Sequence, residues 1–270
     1  MSDHLNEVSL EAIRENKKLT FPLQKSNKSR VNGKLRYWWC WLVASAMLLF
    51  IATPALVFLW IIDRRTWLYP VALWGARNWL EACGAKINVT GLEHLDQSRS
   101  YVFVSNHRSY LDTATLFCYT GRRVGIVAKK ELLKAPVLGQ GMSFVNIIAI
   151  DRTNAERSRR SMEKAREVMK NGYSFGVFAE GTRGMPGELL PFKKGAFHLA
   201  LQTDAAIIPV AIKNTDWMMG KKTGVAYPGT IEMVLLPPIE TADLSAEKDL
   251  MNLLRKTREA IAKELSGSPA

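Results

Sequence analysis

The sequence predicts an α/β fold, a mostly parallel sheet flanked by helices, with an N-terminal membrane-associated helical hairpin. Three observations predict it. From residue 86 onward, short β-branched and aromatic runs alternate with longer mixed ones, and strands alternating with helices imply a mostly parallel sheet with helices packed on it. Tyr37 to Ile62 carries no charged residue. Apolar residues make up 47% of the 270-residue chain, ample for a core and against disorder. The chain divides into a basic N-terminal arm (1–36), a membrane-associated helical segment (37–82) and a domain that would carry the chemistry (83–270).

Taken in order, residues 1–36 are polar and basic, and read as a frayed helix followed by a mobile arm. The expectation is a solvated tail, with adhesion to anionic lipid, worth about 1 kcal/mol per cation near the surface, as the functional alternative. As a helix, the uncharged run from Tyr37 to Ile62 would extend about 39 Å, enough to cross a ~30 Å hydrocarbon core with tilt. Trp38, Trp39 and Trp41 at one end and Trp60 and Trp67 at the other fit interfacial anchors. Cations flank both ends, and Thr53-Pro54 lies within, where proline can break the run into two short halves. The expectation is therefore a hairpin dipping into one leaflet at the cytoplasmic face of the cell (inner) membrane, with a single span as the alternative. Residues 66–82 read equally as an interfacial helix leading into the domain or as a helix packed plainly against it. Strands follow at 86–90, 101–105, 123–127 and 145–150, then a helix over 155–171 stopped by Asn171-Gly172. Strands at 174–179 and 206–213 bracket a helix near 194–203. A last strand at 229–236 ends at Pro237-Pro238, and Leu250, Leu253, Leu254, Ile261 and Leu265 mark a C-terminal amphipathic helix.

Net charge is +12 and the pI near 9.7, which points to an anionic partner. Nucleic acid is not expected, because zinc spacing, an RNP-like aromatic motif and a basic recognition helix are all missing from the sequence. Cys40, Cys83 and Cys118 are scattered and odd in number, against a disulfide framework. His94 and His198 have no companion ligands at metal spacing, so no metal is expected.

The chemistry centres on Asn106-His107-Arg108-Ser109-Tyr110-Leu111-Asp112, directly after the strand-like Tyr101–Ser105. His107 then falls in the turn at the strand's C-terminal end, where open α/β sheets keep their sites. Residues i and i+5 lie about 140° apart on a helix, so His107 and Asp112 meet only if His107 precedes the helix and folds back over its first turn. An Asp on one imidazole nitrogen fixes the tautomer and leaves the other as a base. The alternative is a turn histidine beside an ordinary first-turn carboxylate.

Further blocks follow: Val127-Ala128-Lys129-Lys130-Glu131-Leu132, Ile148-Ala149-Ile150-Asp151-Arg152, Phe178-Ala179-Glu180-Gly181-Thr182-Arg183, and Ile207-Ile208-Pro209-Val210-Ala211-Ile212. Together with the His/Asp pair, in this order, they resemble the glycerolipid acyltransferase family, most closely its 1-acyl-glycerol-3-phosphate acyltransferases. The resemblance spans about Tyr101 to Pro237; Ala179 stands where the family usually has proline. It implies that His107, oriented by Asp112, activates the sn-2 hydroxyl of lysophosphatidic acid for attack on an acyl-CoA or acyl-carrier-protein thioester. Phosphatidic acid is the product, no cofactor is needed beyond that co-substrate, and membrane lipids are the setting. Glycerol-3-phosphate, a lyso-ornithine lipid or another lysophospholipid are the alternative acceptors, and a non-enzymatic membrane adaptor is the remote alternative. No serine or cysteine sits as a nucleophile, so no acyl-enzyme is expected. Arg183, after Glu180-Gly181-Thr182, offers bidentate bonds to phosphate, with a loop salt bridge as its alternative. Glu180 holds the turn or meets the acceptor hydroxyl. Lys129 resembles a phosphate-neutralising lysine, Lys130 being its neighbour and solvated surface charge the alternative. Arg152 either binds phosphate or neutralises Asp151. Lys193 and Lys194 begin a helix and read as solvated.

Overall fold

The computed structural model describes residues 7–22, 29–64, 67–129, 148–150 and 155–267. Lys130, Asp151 and Arg152 lie outside the described residues.

A central strand shows why the sheet forms where it does. β3 (Val102–Ser105) is buried at every position, as expected of a parallel strand covered on both faces. Its side chains alternate: Tyr101 and Phe103 enter one apolar cluster, Val102 and Val104 the other. It lies between β6 (Ser174–Phe178) and β8 (Ile207–Lys213), pairing Val102 with Phe175 and with Ile207, both in parallel. β4 (Val124–Lys129) continues beyond β6, and β5 (Ile148–Ile150) beyond β4. On the other side β9 (Gly229–Leu235) runs antiparallel to β8 and carries β2 (Ala85–Thr90) parallel to itself. The sheet order is β2-β9-β8-β3-β6-β4-β5, with the five strands from β8 to β5 mutually parallel. Their carboxyl ends therefore share one edge.

Helices cover both faces. α4 (Leu68–Ala82) and α5 (Tyr110–Tyr119) pack on the Phe103 side, while α6 (Ala155–Lys170), α7 (Gly195–Thr203) and α9 (Leu250–Ser266) pack on the Val104 side. A short helix, α8 (Thr215–Met219), follows β8 at the carboxyl edge.

The N-terminal segments depart from the sequence reading twice. First, Thr53-Pro54 breaks nothing: one helix runs from Arg30 to Ile61, as α2 (Arg30–Met47), a π-helical turn over Leu48–Ala52 and α3 (Thr53–Ile61). Proline removes an N–H donor, and the wider π turn absorbs that loss while the Thr53 hydroxyl donates to the Leu48 carbonyl at 2.8 Å. The hairpin exists, but its reversal falls between α3 and α4. Trp39 Nε1 donates to the Ala82 carbonyl and Trp79 Nε1 to the Cys40 carbonyl, tying the two arms side by side. Only Gly33 and Cys40 of α2 and Leu59 of α3 are buried. Gly33 is required by close approach, since a Cβ there would lie 2.7 Å from the Tyr227 ring.

Second, residues 7–22 are packed rather than mobile. α1 (Glu7–Arg14) leans on α9, and β1 (Leu19–Thr20) pairs antiparallel with β7 (Glu188–Leu189). Ile13 and Leu19 supply the apolar burial that holds them, entering the Val104 cluster. Two anchors in a charge-rich stretch are enough when a groove receives both.

Candidate active site

The chain leaves β3 at Ser105, turns through four residues and enters α5. Ser109 is the N-cap: its hydroxyl accepts from the Leu111 N–H, and Asp112 at N3 reaches back to the Ser109 N–H at 2.7 Å. That reciprocal cap pulls the Asp112 carboxylate over the turn, where the same Oδ2 accepts from the Arg108 N–H at 2.6 Å and lies 3.0 Å from His107 Nδ1. The two readings of Asp112, first-turn carboxylate and histidine partner, are therefore one geometry. Asp112 is fully buried, and its Oδ1 has no partner. Because Oδ2 can only accept, the proton of the shared bond sits on Nδ1, leaving a lone pair on Nε2. The imidazole is stacked on Phe178 at 4.0 Å and 18°, which fixes its plane. Its side chain keeps 16% exposure, enough to meet a ligand.

Glu180 holds the turn from below. Its Oε1 accepts the His107 N–H at 2.6 Å and its Oε2 the Leu190 N–H at 2.7 Å. Burial pushes this carboxyl up to about 8, against the pull of those two backbone donors and of the Arg108 charge. Gly181 takes positive φ, which lets the chain turn back, and the Gly184 N–H then donates to the His107 carbonyl at 2.8 Å. Thr182 is exposed on this turn. The Arg183 guanidinium lies 3.6 Å over the Tyr110 ring, a cation–π contact. Of the sequence candidates, His107, Asp112, Glu180, Gly181, Thr182 and Arg183 thus come together around one turn. Lys129 ends β4 on the same edge of the sheet. Lys193 and Lys194 are exposed before α7.

Several residues escaped the sequence reading. Asn106, fully buried, exchanges two bonds with the Ile212 backbone at 2.8 and 2.9 Å and pins the turn to β8. Arg108 turns inward, with Nε donating to the Glu188 carbonyl at 2.7 Å and Nη1 reaching Asp216 at 3.2 Å. Lys221 Nζ donates to the Arg183 carbonyl, adding a second cation beside Arg183. Only the Ser109–Asp112 cap had a local signal, the S-x-x-D spacing; the others depend on contacts about 100 residues apart or on loops without periodicity. Among the described residues no group of three or more His, Cys, Asp or Glu is arranged to hold a metal.

Fold and geometry define the class: an α/β domain with an imidazole–carboxylate pair at the carboxyl edge of a parallel sheet, beside the cations Arg183 and Lys221 and the rings of Tyr110 and Phe178. Residues 86–213 match the Acyltransferase family. A 1-acyl-sn-glycerol-3-phosphate acyltransferase of Saccharomyces cerevisiae is 36% identical over 193 residues, 69% of this chain and 63% of that protein. A Mus musculus 1-acyl-sn-glycerol-3-phosphate acyltransferase alpha is 34% identical over 187 residues, 68% of this chain and 66% of that protein. The crystal structure of the LPA acyltransferase PlsC from Thermotoga maritima shares the fold, with a TM-score of 0.74 at 23% identity over 89% of this chain and 99% of that one. The chain belongs to the acyltransferase family. It spans somewhat less than two thirds of the length of the yeast and mouse relatives.

Proposed function

We propose that this protein is a 1-acylglycerol-3-phosphate O-acyltransferase that moves a fatty acyl group from acyl-CoA or acyl-carrier protein to the sn-2 hydroxyl of lysophosphatidic acid. The single observation that carries the proposal is the 3.0 Å contact from His107 Nδ1 to the buried Asp112 carboxylate, with Nε2 left as the accepting nitrogen. The acceptor hydroxyl gives its proton to Nε2 as its oxygen bonds to the thioester carbonyl carbon. The tetrahedral intermediate then collapses, the C–S bond breaks, and the departing thiolate takes the proton back from His107. No cofactor is required, because the thioester carbonyl is already activated. The N–H groups of Arg108, Ser109, Leu111, Gly181 and Gly184 are committed to internal bonds. We therefore assign the oxyanion to the backbone N–H groups of Thr182 and Arg183.

Arg183, with Lys221 beside it, supports a phosphate-bearing acceptor, the guanidinium being held flat on Tyr110 for bidentate contact. Lys129 and Arg152 remain proposed contributors to the same charge field. The exposed apolar face of the helix from α2 through the π turn to α3 supports monotopic attachment to the cytoplasmic face of the membrane: Phe50 of the π turn is 73% and Ile61 of α3 68% exposed. On this reading 37–82 is the membrane-associated segment and 83–270 the catalytic unit, onto which residues 7–22 are folded.

Purified protein incubated with radiolabelled acyl-CoA, or labelled acyl-carrier protein, and lysophosphatidic acid tests the proposal. A two-chain phosphatidic acid is expected. Free fatty acid instead would make the protein a hydrolase, and no turnover with either donor would reject transfer. Glycerol-3-phosphate and lyso-ornithine lipid in parallel vessels decide the acceptor.

A further inference from the structure

Arg258 is a fully buried cation that the proposed reaction does not use. It sits on α9, and its guanidinium makes its hydrogen bonds to residues 12–17, with the Glu180 carboxyl close enough to act on its charge. Nη1 donates to the Ala12 carbonyl at 3.0 Å and the Ile13 carbonyl at 3.3 Å, and Nη2 donates to the Lys17 carbonyl. The last carbonyls of α1, normally left to solvent, are thus capped by a charge from the other end of the chain. Burying an arginine for three backbone oxygens is an expensive way to hold a tail. What the tail holds in turn explains the arrangement.

Asn16, in the left-handed region at φ 53°, closes an amide pair with Phe192: Nδ2 donates to the Phe192 carbonyl and Oδ1 accepts the Phe192 N–H, both at 2.8 Å. β1 pairs with β7, the Phe21 N–H donates to the Gly187 carbonyl at 2.7 Å, and Lys18 meets Glu188 at 3.0 Å. Every one of these bonds ends on residues 187–192. The inner side of that loop is bound to the site: the Leu190 N–H to Glu180, the Glu188 carbonyl to Arg108, the Gly187 N–H to Asp216 at 2.9 Å. Glu180 and Arg108 then hold the His107 turn. Residues 187–192 are held between residues 7–22 outside and the catalytic turn inside.

We infer that residues 7–22 are a strut of the active site, and that Asn16 and Arg258 are positioning residues that set the His107 backbone through the 187–192 loop and Glu180. Neither side chain touches substrate. The inference rests on the acyl-transfer reading, and its test separates the two. Asn16→Gly keeps the positive φ and deletes the amide pair without touching the buried core, so the fold survives. In the full-length chain, with acyl-CoA and lysophosphatidic acid as substrates, kcat is expected to fall about tenfold, the scale of a small misplacement of a catalytic group. The KM of each substrate should stay within twofold, and hydrogen exchange at the His107 and Leu190 amides should quicken. Arg258→Lys, which keeps the charge but replaces the two donor nitrogens of the fork by one, should reproduce the same split in kcat and KM. Wild-type kcat in a folded Asn16→Gly variant with lowered Tm would reduce the strut to a stabilising element and overturn the inference, leaving the reaction itself intact. Inactivity of the wild-type protein toward both donors would instead overturn the reading beneath it.

Discussion

Replacing Asp112 by asparagine tests the site where the structure is most exacting. The side chain is isosteric, but its two ends are no longer equivalent. Oδ2 accepts three N–H groups, from His107, Arg108 and Ser109, so the amide oxygen must take that place; an NH2 there would face two backbone donors. The NH2 is then driven into the buried position of Oδ1, which makes no hydrogen bond in the native protein. That leaves buried donors unsatisfied and should lower stability by about 1–3 kcal/mol. The histidine keeps its tautomer and orientation, since an amide oxygen still accepts from Nδ1. What disappears is the charge opposite the imidazolium formed when His107 takes the proton. With charge centres roughly 4 Å apart at an effective dielectric near 20, that interaction is worth about 4 kcal/mol. The amide dipole restores about 1 kcal/mol. The remaining loss of about 3 kcal/mol corresponds to a kcat roughly 10²-fold lower. Initial rates of phosphatidic acid formation at saturating donor and acceptor measure it, with a melting curve confirming the fold. Both KM values should hold, because the carboxylate is fully buried and cannot meet substrate. A folded variant retaining more than a tenth of wild-type kcat would refute the general-base assignment, and a raised KM at unchanged kcat would make Asp112 a binding residue.

Three further outcomes follow from the same geometry. Glu180 is pushed up to about 8 from an ordinary 4.5, so between those values the folded protein keeps a proton that the unfolded chain releases. Its contribution therefore makes stability fall as pH rises from about 5 to 8, by on the order of a few kcal/mol, and Glu180→Gln should flatten the fall in Tm over that window; an equal slope in both proteins removes Glu180 from the account. Arg183→Ala should raise the KM for lysophosphatidic acid about tenfold or more while leaving that for acyl-CoA alone, as loss of a charge-assisted pair worth about 1.5–3 kcal/mol requires; equal KM values would dismiss it as the phosphate ligand. Phe50→Asp with Ile61→Asp should abolish flotation with anionic liposomes without changing the melting temperature, and continued flotation would move the membrane contact to another surface.

Much of this site is written locally, and the remainder is not. The five-residue spacing of His107 and Asp112 excludes a shared helix face and so puts His107 ahead of the helix; the choice between the two readings of Asp112 rests on the Ser109 cap three residues before it, which only the fold makes plain. The strands were equally legible, because buried runs such as Val102–Ser105 and Ile207–Ile212 have no other home. Proline misled at Thr53-Pro54, where a breaker in an α-helix is absorbed by a π turn that leaves no sequence mark. Charge misled at 7–22, where composition spoke for a solvated arm and two apolar anchors decided otherwise. Arg258 and Asn16 were beyond reach for a simpler reason. Their partners lie about 245 and 176 residues away, and hydrogen bonds to distant backbone leave no periodicity.

The position of Tyr110 connects the membrane question to the chemical one. It follows the N-cap of α5, three residues after His107, and its ring carries Arg183 on one side while Trp41 of α2 meets it edge-on at 5.1 Å. Beyond its basic first turns α2 turns Leu35, Trp38, Trp39 and Leu42 outward, so one aromatic wall separates that apolar surface from the cation that would receive phosphate. A lysophospholipid presents those features in the same order, with its acyl chain in the leaflet, its glycerol at the boundary and its phosphate just above. If α2 lies in the leaflet, Trp41 and Tyr110 set the height of Arg183 relative to the phosphate plane, and His107 falls where the glycerol hydroxyl would be. The acceptor then need not leave the membrane to react, whereas a water-soluble thioester donor approaches from the opposite side. On that argument the apolar helix sets acceptor specificity as well as attachment: a phosphorylated glycerol without an acyl chain has nothing to hold it at the depth where Arg183 waits.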